Sequence, residues 1–174
     1  NDSTGQLFII IFADNLVIGG EHIGDIENVK KLLSSRFEMK DIKELHYFLG
    51  IEIIPNPDGI MISQQHYILN LPFKFGMTEC KPVAAPLDRN LTLDADSGIE
   101  ECESTYYRQL VGSLIYLTIT RSDLSSPVVL LSQFMQTPWN IHLDYAKRVL
   151  CYVSGTMDLD ILYKSGNLIR LKGY

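Results

Sequence analysis

Closely spaced cysteines are missing from this sequence. Its three, Cys80, Cys102 and Cys151, stand far apart with no C-x-x-C pair, a spacing that gives neither a disulfide framework nor a set of zinc ligands and makes a reducing, intracellular home the default. The four histidines, His22, His46, His66 and His142, are equally isolated, and none is assigned to metal. Long apolar runs are missing too. The longest, residues 7–13, falls far short of the roughly 20 residues that span a bilayer, so no membrane role is expected. A basic segment followed by an apolar one is absent from the N-terminus, which removes the argument for secretion. With no initiator Met, the chain reads as cut from a longer one. Internal repeats and low-complexity tracts are also lacking, and so is an excess of positive charge. The net charge of -6 argues against a generic nucleic-acid binder, since affinity for phosphate comes from Lys and Arg displacing counterions.

What is present is a globular composition. Over 174 residues, 46% are hydrophobic, enough to bury a core in one domain, or in one and a half small ones. Charge is divided unevenly: residues 1–104 carry 8 Lys/Arg against 17 Asp/Glu, and residues 105–174 carry 7 against 4. An acidic loop over residues 94–103 accounts for part of this. The remainder points to two segments with different electrostatic tasks.

Periodicity predicts an α+β chain. A β-branched and aromatic run over 7–13, an Asp14-Asn15 turn and a short strand over 16–18 ended by Gly19-Gly20 make a tight hairpin. Residues 25–37 follow as a helix with Asp25 as N-cap and Ile26, Val29, Leu32, Leu33 and Phe37 facing the sheet. A strand over 47–54, a turn over 55–59 and a strand over 60–63 predict a second hairpin. Residues 64–75 read as a helix interrupted at Pro72 and ended by Gly76. A Pro- and Asp-rich connector over 81–98 leads to three helices, over 106–120, 124–135 and 142–153, forming a small bundle. Strands over 160–164 and 168–172 close the chain as a third hairpin.

Chemistry centres on Phe12-Ala13-Asp14-Asn15. A tight turn between two strands aims adjacent side-chain oxygens at one point, as Mg²⁺ requires. Taken alone the signal is weak, because Asp and Asn favour hairpin turns for backbone reasons. The blocks around it carry more. Phe12-Ala13-Asp14 followed by Leu16-Val17-Ile18-Gly19-Gly20, then Phe37-Glu38-Met39-Lys40-Asp41 and Tyr47-Phe48-Leu49-Gly50-Ile51-Glu52-Ile53, resemble successive blocks of copia-type (Ty1/copia) retrotransposon reverse transcriptases. Further likenesses are Ser63-Gln64, Tyr67, Phe75-Gly76-Met77, Cys80-Lys81-Pro82, Tyr107-Arg108-Gln109-Leu110-Val111-Gly112-Ser113-Leu114-Ile115-Tyr116-Leu117, Thr120-Arg121-Ser122-Asp123, Leu131-Ser132-Gln133-Phe134-Met135 and Ala146-Lys147-Arg148-Val149-Leu150. Their order and spacing, rather than any single block, make the resemblance specific, and it covers nearly the whole chain.

The resemblance implies a partial reverse-transcriptase palm of antiparallel hairpins plus helices (residues 1–80), a connector (81–103), a helical thumb (104–157) and a C-terminal β-hairpin (158–174) leading to an RNase H domain. It implies an RNA-directed DNA polymerase within a Pol polyprotein, acting on an RNA/DNA template-primer duplex and dNTPs by two-metal nucleotidyl transfer with Mg²⁺ or Mn²⁺. Asp14 becomes the metal ligand and, with Asn15, the catalytic position. Leu49 and Gly50 fall in the hairpin that grips the primer, and Arg108, Arg121, Lys147 and Arg148 are the thumb cations expected to meet phosphate. An intracellular location is expected, cytoplasmic or in a virus-like particle if the chain comes from an intact element.

Departures from the family accompany these matches. Asn15 stands where the family has a second Asp, removing a full charge, so metal binding is expected to be weak or lost and the chain inactive. The earlier palm carboxylate has no counterpart, since Asp2 lacks a strand context, and the fingers are not in the chain. Ser122 replaces a usual Pro, and Ser125-Ser126-Pro127 interrupts a helix-starting region. A second reading is therefore a decayed or co-opted remnant that still binds nucleic acid; a third is an interaction module with no such role, favoured by the acidic pI near 5.1.

Overall fold

A continuous β-branched and aromatic run pairs with the short strand that follows it. In the computed structural model, which describes residues 5–13, 15–87, 91, 93, 100 and 102–166, β1 (Leu7–Phe12) and β2 (Asn15–Gly20) form an antiparallel ladder from Leu7 opposite Gly20 to Phe12 opposite Asn15. Helix α1 (Ile23–Ser34) follows, against β2. It starts two residues ahead of Asp25, the expected N-cap, leaving that carboxylate in the first turn, where it complements the helix dipole. Of the expected apolar stripe, Ile26, Val29 and Leu33 are half-buried while Leu32 and Phe37 stay exposed. No residue of α1 is fully buried. The described residues divide into two compact units between Leu45 and His46, and the first unit has no buried hydrophobic residue among those described.

The second unit holds the core. Strands β3 (Tyr47–Phe48), β4 (Ile51–Asn56), β5 (Gly59–Ser63) and β6 (Ile161–Lys164) form an antiparallel sheet in that order. The expected strand over 47–54 is thus split by a turn at Leu49-Gly50. The β4–β5 loop shortens to Pro57-Asp58, because pairing runs on to Asn56 opposite Gly59 and the Asn56 Oδ1 accepts the Asp58 N–H at 3.0 Å. Pro55 is tolerated because β3 pairs β4 only at Ile51 and Glu52, which leaves no ladder partner on that side. Gly59 has φ 150°, and a side chain there would strike the Tyr163 carbonyl of β6.

The third hairpin takes another form. β6 pairs with β5, Ile161 opposite Ile62 through Lys164 opposite Gly59; its expected partner over 168–172 lies outside the described residues. In this way β6 covers the edge of β5 that β4 leaves open.

Helix α2 (Gln65–Lys74) continues two residues past Pro72. The chain then turns at Gly76, whose φ of 64° favours glycine. The bundle comprises α3 (Ser104–Leu117), a 3₁₀ turn at Ser122–Leu124, α4 (Ser125–Ser132) and α5 (Asn140–Ser154). Ser125-Ser126-Pro127 starts α4 instead of interrupting it, because Pro in a first turn forfeits no helical hydrogen bond. Tyr107, Leu110, Val111, Leu114 and Leu117 of α3 meet Val128 and Leu131 of α4, Ala146, Val149, Leu150 and Val153 of α5, and Ile68, Leu71 and Phe75 from the α2 segment in one cluster. Thus α2 shares its core with the bundle. The described parts of the connector carry no helix or strand. The molecule is α+β, with five α-helices and two antiparallel sheets among the described residues. No described helix is long and apolar enough to cross a membrane.

Candidate functional site

The β1–β2 turn differs by one residue from its expected form. Because Phe12 pairs with Asn15, Asn15 opens β2 as an exposed strand residue instead of standing in the turn. Ala13 takes φ 48°, the left-handed region that tight hairpins require. Asp14 lies outside the described residues. Phe8, Ile9, Ile10, Ile11 and Phe12 are all exposed, so both faces of β1 remain apolar and uncovered within the first unit. Among the described residues, no three His, Cys, Asp or Glu side chains are grouped to hold a metal ion. The side chain of Asn15 offers a neutral amide oxygen, whereas divalent ions favour anionic ones.

Leu49 and Gly50 form the other tight turn, with φ of 52° and 82°. Leucine in that region is strained by about 1 kcal/mol or more and persists only where its surroundings hold it. Here the Tyr116 hydroxyl of α3 donates to the Leu49 carbonyl. A side chain on Gly50 would collide with the same hydroxyl. Tyr116 is itself set by an edge-on contact with Tyr67, ring centroids 4.7 Å apart, and by Gln64 Nε2 donating to its carbonyl at 3.3 Å. Gln64 accepts in turn from the buried Thr120 hydroxyl at 2.7 Å. Removing the hydroxyl by Tyr116→Phe leaves the ring contact and frees the turn. Hydrogen exchange at the amides of residues 49–51 should accelerate roughly 5-fold, for the loss of about 1 kcal/mol, with α3 core amides unchanged; equal acceleration throughout α3 would contradict this.

The four cations take different places. Arg108 is exposed on α3, with Nε donating to the Met135 carbonyl at 2.9 Å. Lys147 is half-buried on α5; burial raises the Cys102 thiol pKa, and the charge of Lys147 opposes that rise. Arg148 is half-buried, and its Nε has no hydrogen-bond partner among the described residues. Arg121 is 1% exposed. Its guanidinium forks onto Asp123 at 2.9 and 2.8 Å and reaches the Thr156 carbonyl at 2.8 Å and hydroxyl at 2.7 Å. The Tyr152 ring lies 5.6 Å away. A phosphate would have to break this network to reach it, so the structure gives Arg121 a structural task.

Comparison with known proteins decides what these turns belong to. The profile of the reverse transcriptase (RNA-dependent DNA polymerase) family matches residues 1–89. The chain belongs to this family. The retrovirus-related Pol polyprotein from transposon RE1 of Arabidopsis thaliana is 41% identical over 168 residues, 97% of this chain and 12% of that protein. The corresponding polyprotein from transposon TNT 1-94 of Nicotiana tabacum is 32% identical over 177 residues, 97% of this chain and 13% of that protein. An uncharacterized mitochondrial protein of Arabidopsis thaliana is 35% identical over 151 residues, 87% of this chain and 62% of that protein. No solved structure matches. The chain therefore resembles the Pol polyproteins of copia-type transposons along most of its length while spanning about 12% of theirs.

In this reverse transcriptase segment, sequence reasoning took Gln64, Tyr116 and Thr120 only as parts of matching blocks and missed their task, which is to hold the Leu49-Gly50 turn. Tyr116, Gln64 and Thr120 come from α3, the start of α2 and the turn after α3. Tyr116 lies 67 positions from Leu49. The one local signal was a polar Gln64-Gln65 and a tyrosine in otherwise apolar surroundings, and it has no periodicity to identify it.

Proposed function

We propose that this chain is the late palm and thumb of a copia-type reverse transcriptase: palm over residues 1–80, connector over 81–103, thumb over 104–157, and over 158–174 a passage to an RNase H domain. Its parent copies RNA into DNA. In that parent Asp14 serves as metal ligand, the Leu49-Gly50 turn contacts the primer, and Arg108, Lys147 and Arg148 meet the backbone of the template-primer duplex. This chain does not polymerise. The observation that carries the reading is Asn15: within a family-matched hairpin, the residue paired with Phe12 is a neutral amide where the resemblance calls for a carboxylate. The exposed apolar faces of β1 support the palm placement, since a sheet strand apolar on both sides needs cover from neighbouring chain.

The deciding experiment joins the chain to the upstream palm and fingers of a copia-type parent and measures primer extension on an RNA template, with and without Asn15→Asp. Extension only with the substitution supports the reading. A folded Asn15→Asp protein that incorporates nothing would defeat it.

A second reading, a co-opted nucleic-acid-binding remnant, draws on the positive charge of residues 105–174. It expects RNA–DNA duplex affinity that falls as salt rises. In Arg108→Ala with Lys147→Ala the slope should drop by about 2, one for each phosphate left without its cation. Salt-independent or absent binding by the wild-type chain would rule it out.

A further inference from the structure

We propose that Cys80 and Cys151 form an oxidisable dithiol, and that its disulfide staples the segment after α2 to helix α5. The two residues are remote in sequence, and folding brings them to one edge of α5. The Cys80 Sγ lies 3.9 Å from the Ser154 hydroxyl. Ser154 is three positions after Cys151, the helical spacing that puts two side chains on neighbouring ground. The backbones are close there as well: a side chain on Gly155 would run into Pro82, and the Cys80 N–H is held by the Met77 carbonyl at 3.1 Å. Both thiols are half-buried and unpaired by disulfide. Cys102 is held elsewhere, its N–H on the Pro138 carbonyl at 3.2 Å.

Burial, and then a hydrogen bond with Cys80, push the Cys151 thiol above its usual range. Its thiolate is therefore scarce at neutral pH. Both steps of exchange need a thiolate, so either sulfur can open the sequence. With a small-molecule disulfide such as oxidised glutathione as oxidant, the Cys80 thiolate attacks one sulfur and releases one glutathione thiol. The Cys151 thiolate next displaces the second glutathione from the mixed disulfide. The two protein thiols lose two electrons and two protons in all, which leave with the two reduced glutathiones.

The test is oxidation of the wild-type chain by oxidised glutathione at low protein concentration, followed by non-reducing digestion and mass spectrometry. The expected product links the peptides containing Cys80 and Cys151 and leaves Cys102 as the one reactive thiol. Closing so long a loop should raise Tm by roughly 5–15 °C, a gain that dithiothreitol reverses. Cys102→Ser keeps the crosslink and the gain, and Cys80→Ser abolishes both. Glutathione adducts that fail to resolve into the crosslink, or a crosslink that includes Cys102, would overturn the proposal.

Discussion

Arg121→Ala is expected to lower the unfolding free energy by about 2–4 kcal/mol, in the range for removing one partner of a buried ion pair but discounted because Asp123 is partly exposed. The corresponding fall in Tm is roughly 5–15 °C. The size follows from what is left behind. The Thr156 carbonyl and hydroxyl are deprived of their donors, Asp123 of both guanidinium hydrogen bonds, and the Tyr152 ring of its cation. Arg121→Lys should recover little, since an ammonium lacks the planar fork that spans Asp123 and Thr156 together. The pH dependence has a definite sign. Burial tends to raise the Asp123 pKa, but the hydrogen bond and charge of Arg121, with the Tyr152 hydroxyl, outweigh it and leave the carboxyl below its ordinary value. A depressed folded pKa contributes stability above the unfolded value of about 3.9, and that contribution is lost as pH falls through the folded value. The gap between wild type and Arg121→Ala should therefore narrow below about pH 4. Thermal unfolding at several pH values measures both effects. A Tm unchanged by Arg121→Ala, or a gap that widens in acid, would refute this assignment.

The second large effect concerns Asn15. With the upstream palm and fingers joined, Asn15→Asp is expected to raise primer extension by on the order of 100-fold or more, the scale seen when one preorganised electrostatic contact is restored to an active site. A carboxylate supplies the full charge that an amide oxygen lacks, where divalent ions must be held close together. The gain should need Mg²⁺ or Mn²⁺ and disappear again with Asp14→Asn in the same protein. Equal extension by the unsubstituted chain would show that Asn15 suffices. Single-nucleotide incorporation on an RNA template reads all three proteins.

How much of this was legible beforehand depends on the range of the interactions. The Ile- and Phe-rich run around residue 10, the helix ending at Gly76 and the helical spacing of Leu143, Ala146, Val149 and Leu150 depend on neighbours within a turn or a strand. They appeared where expected. Boundaries shifted where pairing outweighed propensity: Phe12 opposite Asn15 moved the first turn by one residue, and Tyr47 opposite Glu52 cut one expected strand into two. Leu49 is an unlikely residue for a left-handed turn, so nothing local announces it. Its support comes from Tyr116 on a later helix.

The candidate site shows the same division. The order of short motifs carried the family, because block succession survives in sequence whatever the packing. The neutrality of Asn15 was equally plain, being a matter of residue identity. The fate of each charge was not. Arg108 and Arg121 look alike in sequence, yet one is exposed and the other is enclosed by Asp123, Thr156 and Tyr152. Sequence alone thus determined the α+β class, the reverse transcriptase kinship and the neutral side chain at position 15. Tertiary structure decided that β6 joins β5, that α2 shares the core of the bundle, that Arg121 is structural and that Cys80 meets the Cys151 edge of α5. The physical reason is that identity and local periodicity are written residue by residue, whereas burial and cross-chain contact exist only once distant segments exclude water together.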